Sequence, residues 1–480
     1  MYYSFLGRFA IVFFCLLSFN IQPLNAAFFK DYSALKKSEN FTEPAVVAMA
    51  DETTGKGGGI FTWKPYDTSE EVYGLVISCS NNQYKGNWIR QQTKLNPDWF
   101  GALNKKELPG NISPTFRALG YSDSTLKNRY SNLIPDISLD DTPDWAALQY
   151  MCKLQEKGWL TIELNPLDYF INRTVNLAEN TKPSFEITFQ IEGNGARIYS
   201  INNNGFPFFY TMPKTQKISQ DIFCARRFHI SNLNLRGSAK SGSGSVGISI
   251  GGTFHSLIEN IQIHSMDTGI VLRHAMSSEI YRCNAVGCYS ISYFLGSGNK
   301  IWDGATPPTS GSNQSRIIAS RTFPAENQFA GCVIHQSSEC RVVDFTLDGG
   351  GKRSVDYAII INTGGTSTVK DGYVEGLHGE TNCDSAIIKF RGNGASIFVA
   401  KDLYIQMKAV IIELDAMNSA AQVVCENFSY MPAGSTFANK GNGAWDFKNV
   451  FGKDKNPEWK ILDGYSSPSK DKVRNVRKLQ

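Results

Sequence analysis

Between residues 232 and 427, apolar positions come in short alternating bursts interrupted by a recurrent Asn or Asp. LNLRG follows Asn232, IQI follows Asn260, AVG follows Asn284, FTL follows Asp344, GYV follows Asp371, LYI follows Asp402 and FSY follows Asn427. The spacings are 28, 24, 60, 27, 31 and 25 residues, and the 60 reads as two turns carrying an insertion. Short β-rich phrases repeated every roughly 20–30 residues mark a solenoid, in which each turn can bury its apolar side only against its neighbours.

Within one repeat, His255 to His274 shows how a turn divides. Leu257-Ile258 predict one strand, Asn260 a bend, Ile261 to Ile263 a second strand, Ser265 to Thr268 a loop, and Gly269 to Arg273 a third strand. Asn and Asp suit the bend because they tolerate left-handed backbone and bond nearby main-chain groups. The seven bend residues are therefore expected to stack as a ladder up one corner. A sandwich with Asn-rich turns does not keep a fixed repeat.

The clearest helix signal precedes the repeats. In DDTPDWAALQYMCKLQEKG, Thr142 can cap, Pro143 suits the first helical position, and Trp145, Leu148 and Cys152 share a face. Gly158 supplies the left-handed stop. A helix over 142–157 ahead of a solenoid is expected to cap its first turn, whose core and strand edges would otherwise be open. Residues 27–139 show no repeat and read as a small, loop-rich β module. Its Trp63, Trp88 and Trp99 offer large apolar bodies, and its Gly57-Gly58-Gly59 lacks the Gly-Lys-Ser/Thr that a phosphate loop needs.

Residues 1–26 read as a secretory leader, with Arg8, an apolar run from Phe9 to Phe19 and small residues before Ala27. The run is too short to favour a membrane span, and an exported protein, secreted or periplasmic, is expected. Net charge is +4, and the tail within 451–480 accounts for it through Lys470, Lys472, Arg474, Arg477 and Lys478 against Asp471. The rest is near neutral, and no basic-aromatic motif points to nucleic acid. Ten cysteines show no Cys-x-x-Cys pair or zinc spacing, so they read mainly as small buried apolar residues, with Cys332 and Cys340 open to pairing.

DDTPDWAALQ, LTIEL from Leu160, YFINRTVNL from Tyr169 and IEGNGARI from Ile191 together resemble the opening of right-handed parallel β-helices of the pectate-lyase superfamily. The upstream GGGIFTW, GNWIRQ and NPDWFGA phrases resemble the leader module of secreted and tailspike-like members. The resemblance implies an all-β fold, with the β-helix over 140–450, and trimers among tailspike-like relatives. No coiled-coil heptads appear. It is specific for fold and not for activity, because the superfamily contains lyases, hydrolases, epimerases and silent members. The paired-Asp and Gly-His-Gly motifs of polygalacturonases are absent from the sequence.

The resemblance also implies a ligand groove along the strand that follows the loop after the bend. Alternation then turns Arg273, His335, Lys389, Arg391 and Glu413 outward. Asp356 flanks its strand, and Asp267 and Asp384 lie in incoming loops with His264, Lys352, Arg353, His378 and Glu380. Trp302, in the insertion from Gly296 to Gln314, either stacks on a sugar from a loop over the groove or packs on the helix wall in a plain surface excursion. The candidates are Asp356, Asp384, His335, Lys389 and Arg391 for catalysis, and Arg273, Asp267, Trp302 and Glu413 for substrate. Such a mixture suits a polysaccharide, acidic or polar, although a strand facing water carries charges in any case. Two carboxyls would serve a hydrolase. A base with a lowered pKa beside cations would serve a lyase. A non-catalytic glycan-binding or surface protein is the alternative. No cofactor is called for; Asp356, Glu380 and Asp384 offer oxygen ligands for calcium without its loop motif.

Overall fold

The computed structural model describes residues 26–39, 41, 44–81, 83–158, 161–177, 188–201, 209–211, 227–238, 243–296, 314–335, 339–349, 353–362, 371–392, 396–406, 409–415, 421–429, 431–432, 435–439, 444–450, 460–463 and 473–474. The leader, Trp302, Lys352 and most of the basic tail lie outside these residues. No helix among the described residues is long and apolar enough to cross a membrane.

The chain divides into two compact units, residues 1–92 with 98–101, and the remainder. The first is a five-stranded sheet ordered Ala27–Asp31, Ala45–Met49, Gly57–Pro65, Gly86–Arg90, Val76–Ser78, with helix α1 (Tyr32–Lys36) packed on it. Its centre is a buried cation. Arg90 is 6% exposed, donates Nε to Gly74 O at 2.6 Å and Nη1 to Gly58 O at 2.9 Å, and lies over the rings of Phe61 and Trp99 at 4.6 and 4.5 Å. The glycine run exists for this packing. A Cβ on Gly59 would stand 2.0 Å from Arg90 Nη1, and one on Gly57 would stand 2.2 Å from Asp98 O.

The second unit holds helix α2 (Asp123–Tyr130) and helix α3 (Pro143–Glu156), then a parallel β-helix. Thr142 accepts from Trp145 N–H at 3.3 Å, and Gly158 has φ +87°, the cap and stop its sequence specifies. The helix is buried on more than the apolar face, since Asp144, Gln149 and Gln155 are all 2–3% exposed. Asp144 accepts from the backbone N–H of Leu103 and Phe170, at 2.7 and 2.8 Å. Gln149 both donates to and accepts from the Asn176 backbone, and Gln155 donates to Gln190 O. These side chains satisfy main-chain groups of the first strands.

Three parallel sheets follow the helix axis. Sheet I has eleven strands, from Val175–Asn176 to Lys460–Asp463. Sheet II includes Leu257–Glu259, Glu279–Tyr281, Arg316–Ile318 and Cys340–Val343. Sheet III includes Gln262–His264, Asn284–Val286 and Arg321–Phe323. Ile250, Leu272, Leu295, Ile334, Ile361, Phe390 and Leu414 stack turn over turn inside, each at most 1% exposed. Burying each such side chain contributes about 1.5–3 kcal/mol.

Between sheets II and III, one residue per turn sits in left-handed geometry: Asn194, Asn232, Asn260, Arg282, Ala319, Asp344, Gly376, Asp402 and Asn427, with φ from 49° to 67°. Five of the seven expected bend residues are in this column. Asn284 and Asp371 are not; they begin strands, and Arg282 and Gly376 hold the corners of their turns. The interval of 60 residues does contain two turns, cornered at Ala319 and Asp344. Cys332 and Cys340 are free thiols, buried like Cys152, Cys283, Cys288 and Cys425, so that pairing does not form. Burial lifts the Cys283 and Cys288 thiols to about 12, as expected of inert apolar residues.

Candidate functional site

Register on sheet I aligns the outward positions of successive turns into rows stepping about 4.8 Å. One row runs Arg273, Gly296, His335, Asn362, Arg391, Asp415. Beside it run Val271, Phe294, Val333, Ile360, Lys389 and Glu413. Coiling thus gathers Arg273, His335, Lys389, Arg391 and Glu413, which are scattered over some 140 residues of sequence, onto one face.

That face is not the solvent-facing wall that simple alternation suggests. Val271, Phe294, Val333 and Ile360 are 0% exposed and cluster with Ile291 and Ala330, separately from the core. Arg273, His335 and Glu413 are only 5–7% exposed. Alternation fixes which side of the sheet a residue takes and says nothing of what lies above it; an apolar outer row draws cover because leaving it wet is costly.

At the later turns the row becomes ionic. Lys389 Nζ is 2.9 Å from Glu413 Oε1 and lies 5.2 Å from the centre of the Tyr357 ring. Burial disfavours the charged amine, but the hydrogen bond and charge of Glu413, helped by Tyr357, outweigh it and raise the Lys389 pKa. Arg391 stands 3.8 Å from Asp415.

The two candidate carboxyls meet where their strands begin. Val355 pairs with Cys383 and Tyr357 with Ala386, with a bulge between, so Asp356 lies opposite Asp384 and Ser385. Partial burial, then the charge of Asp384, pushes the Asp356 carboxyl above its ordinary range. Asp384 is exposed. Neighbouring strands lie about 4.8 Å apart, a backbone spacing compatible with the separations a carboxyl pair takes across a glycosidic bond.

The remaining candidates scatter. Asp267 is 7% exposed and ties loops together, accepting from Ser290 Oγ at 2.9 Å and Gly244 N–H at 3.0 Å. His264 and His378 belong to sheet III, and Glu380 follows its strand, 3.1 Å from His378, which packs on Tyr404. Arg353 is exposed. Among the described residues no group of three or more His, Cys, Asp or Glu gathers as a metal site. Two contributors went unread in the sequence: Tyr357, under Lys389, and Asp415, beside Arg391. The second had a signal, since Lys389-x-Arg391 and Glu413-x-Asp415 place opposite charges at matching offsets in consecutive turns.

The tailspike gp42 of Acinetobacter phage vb_AbaP_AS12 superposes with a TM-score of 0.53 at 13% identity, over 91% of this chain and 69% of that one. The fold is that of a tailspike-like parallel β-helix. Two further similar structures are a domain of tailspike protein 2 from bacteriophage CBA120 (TM-score 0.48, 12% identity, 92% of this chain, 64% of that) and the tailspike of Acinetobacter baumannii phage AM24 (0.43, 16%, 86% and 65%). The chain spans about two thirds of the length of those structures. No protein-family model matches the sequence, and a search of curated proteins finds no match.

Proposed function

We propose that the protein cleaves a polysaccharide by hydrolysis where the strands of sheet I begin, with Asp356 as proton donor and Asp384 as the second carboxyl. The coupling of these two carboxyls carries the reading. A carboxyl raised above its usual range next to a second carboxyl is what acid-assisted glycoside cleavage requires, and partial burial, then the charge of Asp384, moves Asp356 in that direction. Elimination is less well served, because it needs a base with a lowered pKa, whereas Lys389 is raised and ion-paired and His335 is buried. Arg391 and Lys389 then orient polar or acidic groups of the glycan, and Tyr357 offers a ring beside the carboxyl pair. Polysaccharide as partner agrees with the tailspike-like fold and with the exported character of the leader; a trimer remains the assembly that the resemblance suggests, testable by the mass of the protein in solution.

The test is incubation with neutral and uronate-containing polysaccharides, followed by reducing-end release and ultraviolet absorbance of the products. Hydrolysis predicts reducing ends without the unsaturated chromophore. Asp356→Asn is expected to lower the rate at least about 100-fold, the scale of a lost general acid. Unsaturated products, or an Asp356→Asn variant with unchanged rate, would refute the assignment.

A further inference from the structure

A second polar site lies away from sheet I, where the corner column meets sheet III. A pocket of about 320 Å³ opens there, lined by Asn194, Asn232, Leu233, Asn234, Asn260 and Gln262. Two chains of amides run through it with opposite polarity. In the first, Asn260 Nδ2 donates to Asn232 Oδ1, and Asn232 Nδ2 donates to Glu192 Oε1 at 2.8 Å. In the second, Arg236 Nε donates to Asn234 Oδ1 at 3.2 Å, and Asn234 Nδ2 donates to Gln262 Oε1 at 3.1 Å.

The charges at the far ends fix how every amide points. A carboxylate only accepts, so Asn232 must present its NH₂ to Glu192 and its carbonyl to Asn260. A guanidinium only donates, so Asn234 must present its carbonyl to Arg236 and its NH₂ to Gln262. The first chain therefore ends on the carbonyl oxygen of Asn260, an acceptor. The second ends on the NH₂ of Gln262, a donor. Both terminal residues are exposed and stand two positions apart, Asn260 at the corner and Gln262 at the start of the next strand.

The anchoring charges are already engaged. Glu192 also accepts from Asn194 N–H at 3.0 Å and Ser231 Oγ at 2.9 Å. Burial works against its ionisation, but the hydrogen bonds from Asn194, Asn232 and Ser231 prevail and hold its carboxyl below the usual range. Arg236 lies 5.9 Å from the centre of the Tyr199 ring. The pocket consequently offers oriented dipoles and a small apolar floor at Leu233. An ionic group would lose hydration there without meeting a counter-charge, whereas a hydroxyl, being both donor and acceptor, satisfies the Asn260–Gln262 pair.

We propose that this corner is a second, non-catalytic binding site for neutral, hydroxyl-rich glycan, separate from the carboxyl pair on sheet I. Preset donor and acceptor directions are what make such a site bind with little reorganisation. The test is affinity electrophoresis of the full chain through gels cast with dextran, galactomannan or polygalacturonate. Retardation is expected in at least one neutral gel and reduced at least fivefold in apparent affinity by Gln262→Glu, which exchanges the donor for an acceptor of the same shape. Gln262→Met supplies the same reading should the charged variant alter the melting temperature. Absence of retardation in both neutral gels, retardation confined to polygalacturonate, or insensitivity to both Gln262 substitutions overturns the proposal. Because cleavage is scored by product release, failure of either site is seen independently of the other.

Discussion

Sheet I and the corner between sheets II and III use one geometric device, a residue per turn held in register, with opposite electrostatic results. On sheet I the register brings like charges together, and Asp356 shifts upward through partial burial and then the charge of Asp384. It also buries opposite charges, as in Lys389 and Glu413. At the corner it strings together neutral amides whose dipoles run toward Glu192 or away from Arg236. The first arrangement stores unfavourable electrostatics that chemistry can use. The second is mutually satisfied and suits recognition. A solenoid ladder therefore has no single purpose; the sign of the interaction between neighbouring turns decides it.

The sharpest way to break this contrast is to remove one member of the buried pair. Lys389→Met should cost about 3 kcal/mol by leaving Glu413 buried and uncompensated, read by denaturant unfolding, while Lys389→Met with Glu413→Leu should recover most of it. If the single variant unfolds like the wild type, the pair is not the buried contact its 5% exposure at Glu413 implies. At the corner, Asn427→Ala should lose about 1 kcal/mol because alanine tolerates left-handed backbone poorly, and Asn284→Ala, outside the column, should lose much less. Ala319 sits at φ +49° in the same column, so Ala319→Asn should gain up to about 1 kcal/mol; an unchanged or lowered melting temperature would show that this corner is not strained.

The smallest effect concerns acid. A carboxyl whose folded pKa exceeds its unfolded value retains its proton longer in the folded state. For Asp356 that means a contribution to stability which falls as pH rises from the unfolded pKa through the folded one. Asp356→Asn should therefore be slightly more stable than the wild type at neutral pH, with the gap closing below about pH 4. Equal melting temperatures of variant and wild type at both pH values would indicate that neither burial nor Asp384 raises Asp356.

Much of the architecture is local in origin and was readable. Thr142, Pro143 and Gly158 state where a helix starts and stops, because capping involves residues within one turn of each other. The alternation in Leu257–Glu259 and Gln262–His264, and the Asn260 bend between them, likewise need no distant information. The face shared by Arg273, His335, Arg391, Lys389 and Glu413 also followed from alternation plus coiling.

What the chain alone determined was the period and side of each strand, since steric and hydrophobic preferences act over a few residues. Register, cover and partnership were settled only by the folded coil. Arg282 rather than Asn284 takes the corner because pairing with the turns above and below fixes the alignment. His335 is enclosed although its strand position points outward. Glu192 and Arg236 orient amides that lie up to two turns away. Each of these depends on residues about 20–40 positions apart meeting at van der Waals distance, and short-range pattern carries no record of such meetings.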